Sequence, residues 1–156
     1  MTLFDPAEIP SEPPGPVAPT ERIRLVVAYD GSGYHGFAVN DGVRTVGGTL
    51  TAALSTVLGR DVVITCAGRT DKGVHARAQV VTFDVEAGAS DLPSLLRSLN
   101  KLCGPSIAVT DAAVVPDDFD ARFSATARRY RYRVVNRPAP DPFQAHLAWH
   151  VPEPLH

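Results

Sequence analysis

The sequence predicts an α+β fold, a ferredoxin-like split βαβ sandwich in which two helices cover one face of an antiparallel sheet. Three observations predict it. Four segments carry apolar residues in short or period-two patterns, two carry them at helical spacing, and the order along the chain is β-α-β-β-α-β with one strand added. At 156 residues, with 44% hydrophobic and 21% charged side chains, the chain fits one domain with a real core.

The elements follow in order. Residues 1–20 carry prolines at 6, 10, 13, 14, 16 and 19, which oppose both helix and central strand, so 1–21 reads as a disordered leader. The folded part, residues 22–156, opens on a strand over 22–29 that places Ile23, Leu25, Val27 and Tyr29 on one face. A glycine-rich loop over 30–36 follows. Leu50, Ala53, Leu54, Val57 and Leu58 then mark a helix over 48–58, and Gly59 suits its end. A short apolar strand is expected over 61–66 and a longer one over 77–85. Asp91 caps a second helix over 92–102, whose apolar face is Leu92, Leu95, Leu96 and Leu99. A fourth strand is expected over 106–115 and a fifth over 126–136, before a proline-rich stretch from Pro138. Two helices on one side of the sheet leave its other face open for a partner domain, a ligand or a second chain.

The net charge of −2 gives no argument for nucleic acid, but the acidic residues are unevenly placed. Of 17 acidic side chains, Asp5, Glu8, Glu12 and Glu21 lie in the leader, and without those four, 15 basic residues face 13 acidic ones. No apolar run approaches the roughly 20 residues that span a membrane, and no basic-then-apolar secretory pattern is visible. The expectation is a cytoplasmic protein in which Cys66 and Cys103 are reduced thiols.

Two familiar patterns fail on context. Gly31-Ser32-Gly33-Tyr34-His35-Gly36 matches G-x-G-x-x-G after a strand, but the helix starts about ten residues too late for a dinucleotide site, so a tight glycine turn is expected. Gly68 to Gly73 has the frame of a phosphate loop, yet Val74-His75 stands where Lys and a hydroxyl residue must follow. The five histidines do not make a metal set: His146 and His150 stand four apart, but Pro142 and Pro152 crowd any helix there, and no metal is expected.

Chemistry concentrates in two places. The first is Ala67-Gly68-Arg69-Thr70-Asp71-Lys72-Gly73-Val74-His75-Ala76. Arg69 and Lys72 flank Asp71, and nearby cations favour an ionised carboxylate. Such a group serves as nucleophile, as general base or as half of a structural ion pair. Where the loop is extended, Arg69 shares a side with Asp71 and can fix it, contact phosphate or fill the gap left by an extruded base. The second place is residues 123–133, which hold Arg128, Arg129, Arg131 and Arg133 with Tyr130 and Tyr132. On a strand the tyrosines share one face and Arg129, Arg131 and Arg133 the other. Arginine on phosphate and a ring on an unpaired base suit RNA; a half-buried strand with a solvated basic face fits the same pattern.

Together these segments resemble the TruA-type tRNA pseudouridine synthases. The residue 67–76 string is similar to that family's active-site signature. Tyr29-Asp30-Gly31-Ser32, Gly36-Phe37, Arg44-Thr45-Val46, Gln79-Val80-Val81, 119–125 and Arg129-Tyr130-Arg131-Tyr132 agree in order, over about residues 22–154. The resemblance implies a cofactor-free isomerase acting on uridines in the anticodon stem-loop of tRNA, with the N1–C1′ bond cut and C5 joined to C1′. It implies that Asp71 is catalytic, that Arg69 holds it and helps evict the uridine, and that Tyr130 packs on the flipped base. Arg128, Arg129, Arg131, Lys72 and His75 are the expected RNA contacts. A homodimer is implied for the full-length family, together with a second αβ half that this chain lacks, so the chain is expected to be an N-terminal half with weak activity by itself. Ala38 and Gly47 stand where the family usually has glutamine. A non-catalytic RNA-binding module of the same fold is the alternative; an aspartyl phosphotransferase is disfavoured by the order Thr-Asp-Lys-Gly.

Overall fold

The computed structural model describes residues 19–88 and 91–155, so most of the expected leader lies outside the described residues. The chain runs β1 (Thr20–Tyr29), α1 (Val46–Leu58), β2 (Thr65–Cys66), β3 (Ala76–Glu86), α2 (Leu92–Cys103) and β4 (Ile107–Val115), then β5 (Val134–Asn136) and β6 (Trp149–Val151). The sheet order is β2-β3-β1-β4, with every pairing antiparallel. This is the split βαβ arrangement expected from the element order.

The core lies between the helices and one face of the sheet. Ile23, Leu25, Val27 and Tyr29 of β1 meet Val81, Phe83 and Val85 of β3 and Ile107 and Val109 of β4. Leu50, Ala53 and Leu54 of α1 and Leu95, Leu99 and Cys103 of α2 close it from above. Each fully buried aliphatic side chain contributes about 1.5–3 kcal/mol. Thr45 caps α1 by accepting from the Gly48 N–H at 3.1 Å, which starts the helix at Val46, and Gly59 ends it at φ 68°. Asp91 caps α2 through the Ser94 N–H. Among the described residues no helix is long and apolar enough to cross a membrane.

The far face of the sheet is not wholly open. Residues 116–124 cross it as a strap. Arg22, paired with Asp84 at 2.7 Å, also donates to the carbonyls of Asp117 and Phe119. Ala121 is buried there and its N–H donates to Thr82 Oγ1 at 3.3 Å. Asp120 fixes the turn by accepting from the N–H groups of Arg122 and Phe123.

Two strands are shorter than the sequence suggests. Residues 61–64 stay unpaired, and only Thr65 and Cys66 join β3. Residues 126–133 form no strand; only 134–136 does, and it pairs in parallel with β6 rather than with the main sheet. Alternating residue types do not make a strand without a ladder partner, and neither edge of the main sheet, β2 or β4, receives this segment. Tyr130 and Tyr132 are accordingly exposed, at 69% and 92%, instead of sharing a half-buried face.

Candidate active site

Residues 67–75 leave the edge strand β2 and enter its neighbour β3, so the loop is anchored at both ends on the sheet. Where it rejoins, the β1–β3 register shifts between Val27 and Tyr29, and Tyr29 pairs with Ala76. Such irregularities redirect a chain next to functional sites.

The loop backbone is tied down at Ala67, Gly68, Thr70, Asp71, Gly73 and Val74. The Ala67 N–H donates to Val80 O at 2.9 Å, and Ala67 O accepts from Arg128 at 2.8 and 2.6 Å. Gly68 O accepts from the Gln79 amide at 2.5 Å. Thr70 O accepts from the Phe37 N–H at 2.9 Å, and Thr70 Oγ1 bonds Tyr29 OH at 2.8 Å. Asp71 O accepts from the Val74 N–H, and the Gly73 N–H donates to Tyr34 O.

The platform beneath is the glycine segment that resembled a nucleotide loop. Its glycines serve contact with another backbone. A Cβ on Gly31 would lie 2.0 Å from Val74 O, and one on Gly36, at φ +92°, would lie 2.7 Å from Thr70 O. Only glycine lets the two loops meet main chain to main chain. Asp30 steadies the same segment by accepting from the Ser32 hydroxyl and N–H, and these bonds hold its carboxyl below the usual range.

Against this fixed backbone the Asp71 side chain is exposed. Among the described residues its carboxylate makes no hydrogen bond and no ion pair, with Arg69, Lys72 or any other group. Arg69 and Lys72 are exposed as well. Tyr130 borders the loop: its hydroxyl lies 4.0 Å from where a Gly68 Cβ would stand. Arg129 and Arg131 are exposed. Burial pushes the Tyr29 phenol up, partly offset by its bond with Thr70, so it remains a neutral hydroxyl. Burial likewise pushes the Cys66 thiol up, with the Arg69 charge acting the other way, which makes Cys66 a poor nucleophile.

Two expected RNA contacts are engaged inside the chain. Arg128 spends its guanidinium on Ala67 O and Arg122 O, bracing the loop against the strap. His75 bonds Gly31 and the His146 carbonyl through its two ring nitrogens. Tyr29, Thr70 and Gln79 carry the loop and had no assigned role. Gln79 had a signal: it is a polar residue in phase with Val81, Phe83 and Val85, at a core-facing position where a buried amide needs a partner.

Residues 25–124 match the family model described as tRNA pseudouridine synthase. The chain belongs to the tRNA pseudouridine synthase family. It is 44% identical over 137 residues to a Caulobacter protein named tRNA pseudouridine synthase A, covering 86% of this chain and 54% of that protein. A Coxiella burnetii protein of the same name is 45% identical over 130 residues, covering 83% and 49%. One from Rhizobium meliloti is 43% identical over 136 residues, covering 86% and 55%. The chain thus spans about half the length of these curated relatives. The family match takes in β1 from Leu25 on, the glycine platform, the 67–75 loop and the strap, and stops at Ser124, short of Tyr130.

Proposed function

We propose that this chain carries the catalytic aspartate of a tRNA pseudouridine synthase, and that it isomerises uridine in the anticodon stem-loop with Asp71 as the nucleophile. One observation carries the reading: an unpaired, exposed carboxylate stands on a loop whose backbone is hydrogen-bonded from Ala67 to Val74. A rigid support with a free functional group is what positioning a reacting atom requires. Family membership supplies the substrate class.

The reaction balances without a second substrate. The N1–C1′ bond breaks, uracil rotates, C5 bonds to C1′, the C5 proton leaves and N1 takes one up. No electron is gained or lost overall, so no redox cofactor is called for. A uracil stacked in a stem must first be extruded. Arg69, two residues from Asp71, is assigned to evicting the base and to neutralising charge beside the carboxylate. Tyr130, at the Gly68 end of the loop, is assigned to stacking on the extruded uracil. Lys72, Arg129 and Arg131 are exposed around the loop and suit phosphate. The reading places the protein in the cytoplasm, with tRNA, as a homodimer in which a second half-domain forms the opposite wall of the cleft.

The test is release of tritium from tRNA labelled at uracil C5, using the complete gene product. Asp71→Asn and Asp71→Ala are expected to abolish release while tRNA binding persists. Turnover retained in Asp71→Ala would exclude the mechanism. RNA binding without turnover by the unmutated protein would instead favour a non-catalytic RNA-binding module.

A further inference from the structure

We infer that His75 is a positioning residue, a strut that sets the height of the Asp71 turn by joining it to the glycine platform and to the 141–147 segment; the inference rests on the reading of Asp71 as catalytic. His75 closes the motif loop immediately before β3. Its ring is half-buried and reaches two segments distant in sequence. Nδ1 lies 3.2 Å from the Gly31 N and 3.0 Å from Asp30 Oδ1, and Nε2 lies 3.1 Å from the His146 carbonyl oxygen.

The His146 side of the ring fixes one proton: a carbonyl oxygen only accepts, so Nε2 carries hydrogen. Nδ1 faces both the Gly31 N–H at 3.2 Å and the Asp30 carboxylate at 3.0 Å, so this end of the ring is seated against the platform by two groups.

The strut is coupled to Asp71 by contact. The Gly31 backbone presses on Val74 O, with no room for even a Cβ. The Val74 N–H in turn bonds Asp71 O at 3.2 Å. The 141–147 segment has its own frame, with the Gln144 N–H on Asp141 O and the Leu147 N–H on Gln144 O, so His146 O is a fixed seat. His75 therefore ties β1's loop, the motif turn and the 141–147 turn to one another. Its removal lets Asp71 drift without touching the substrate. Drifts of a fraction of an ångström in a reacting group cost about tenfold in turnover.

Three variants separate the two bonds. Asn reaches the Nδ1 position and keeps the Gly31 bond; Gln reaches the Nε2 position and keeps the His146 bond; Ala keeps neither. At mildly alkaline pH the ¹⁵N shifts of His75 in the chain should show hydrogen on Nε2. Exchange of the Gly31 amide should accelerate in His75→Ala and His75→Gln and stay slow in His75→Asn. In the complete gene product, kcat should fall about tenfold in His75→Ala with KM within about twofold, and His75→Asn should recover most of the loss. An Nε2 without hydrogen, unchanged Gly31 exchange in His75→Ala, or a raised KM at constant kcat, as an RNA contact would give, overturns the proposal. The ¹⁵N and exchange readouts stand without turnover, so a failure of the pseudouridine reading would show separately, as absence of tritium release in the unmutated protein.

Discussion

Replacing Gly36 with alanine tests whether the glycine platform sets the position of Asp71. Gly36 has φ +92°, a conformation costing an L-residue about 1–2 kcal/mol. Its new Cβ would stand 2.7 Å from Thr70 O, whereas ordinary contact begins at 3.4 Å, so the loop must retreat by about 0.7 Å. Thr70 O is backbone and cannot rotate away. The retreat also stretches the 2.9 Å bond from the Phe37 N–H, a loss of about 1 kcal/mol. Together these cost about 2–3 kcal/mol, which lowers the thermal midpoint by roughly 5–10 °C in a domain of this size. Asp71 adjoins Thr70, so a shift near 0.7 Å should reduce kcat by about ten- to a hundredfold with little change in KM. Gly33→Ala is the control, because a Cβ there meets nothing within 4 Å and its φ lies outside the left-handed region. Differential scanning calorimetry of the chain and tritium release from the complete gene product give the two readouts. Equal behaviour of Gly33→Ala and Gly36→Ala would refute the reasoning.

Four further outcomes follow from the fold. Tyr130→Phe should retain stacking and most turnover and Tyr130→Ala should lose both; equal activities measured by tritium release would remove the stacking role. Arg128→Ala frees Ala67 O and Arg122 O, so it should lower kcat and destabilise the chain by about 1–2 kcal/mol. Arg131→Ala should instead weaken tRNA binding and shrink its salt dependence, read from filter binding across a salt series. The Arg22–Asp84 pair contributes to acid stability. Arg22, chiefly through its hydrogen bonds, holds the Asp84 carboxyl below its unfolded value, so the unfolded chain binds the proton first. Its contribution is complete above about pH 4 and is lost as pH falls through the lowered native value. Asp84→Asn should therefore flatten the acid limb of urea-unfolding stability below pH 4, by a modest amount because the pair is partly solvated.

The sheet and helices were legible because each declares itself locally. Ile23, Leu25, Val27 and Tyr29 alternate, the α2 leucines recur at helical spacing, and Thr45, Gly59 and Asp91 end or begin helices by chemistry within three residues of themselves. What was not legible depends on distant partners. The Gly31 and Gly36 pattern is a backbone seat, but the carbonyls it seats, Val74 O and Thr70 O, lie some forty residues on. The Tyr–Arg alternation over 129–133 reads as a strand, and it fails because strand formation is decided by a neighbour's free edge. Arg128 belongs to the same run of arginines yet is a brace, since Ala67 O happens to lie within its reach.

Asp71 shows the same division most clearly. In the sequence, two adjoining cations argue for an ion pair that keeps the carboxylate charged. In the fold, the hydrogen bonds of Thr70, Asp71 and Gly73 with Phe37, Val74 and Tyr34 hold the turn through its backbone, and the side chain is left unpaired. The difference bears on catalysis. A carboxylate already locked to Arg69 would have to break that pair, or carry it along, before forming a bond to a substrate atom. An unpaired one, rigid through its main chain alone, meets the substrate without that cost, and Arg69 stays free to engage the nucleotide that is moved aside. Neutralising Arg69 should therefore slow the steps that bring uridine to Asp71 more than it alters the carboxylate itself. An Arg69→Lys protein that bound tRNA normally and recovered turnover when the target uridine was presented in a mismatched, already unstacked stem would separate those two roles. Loss undiminished by the mismatch would place Arg69 in the chemistry on the carboxylate instead.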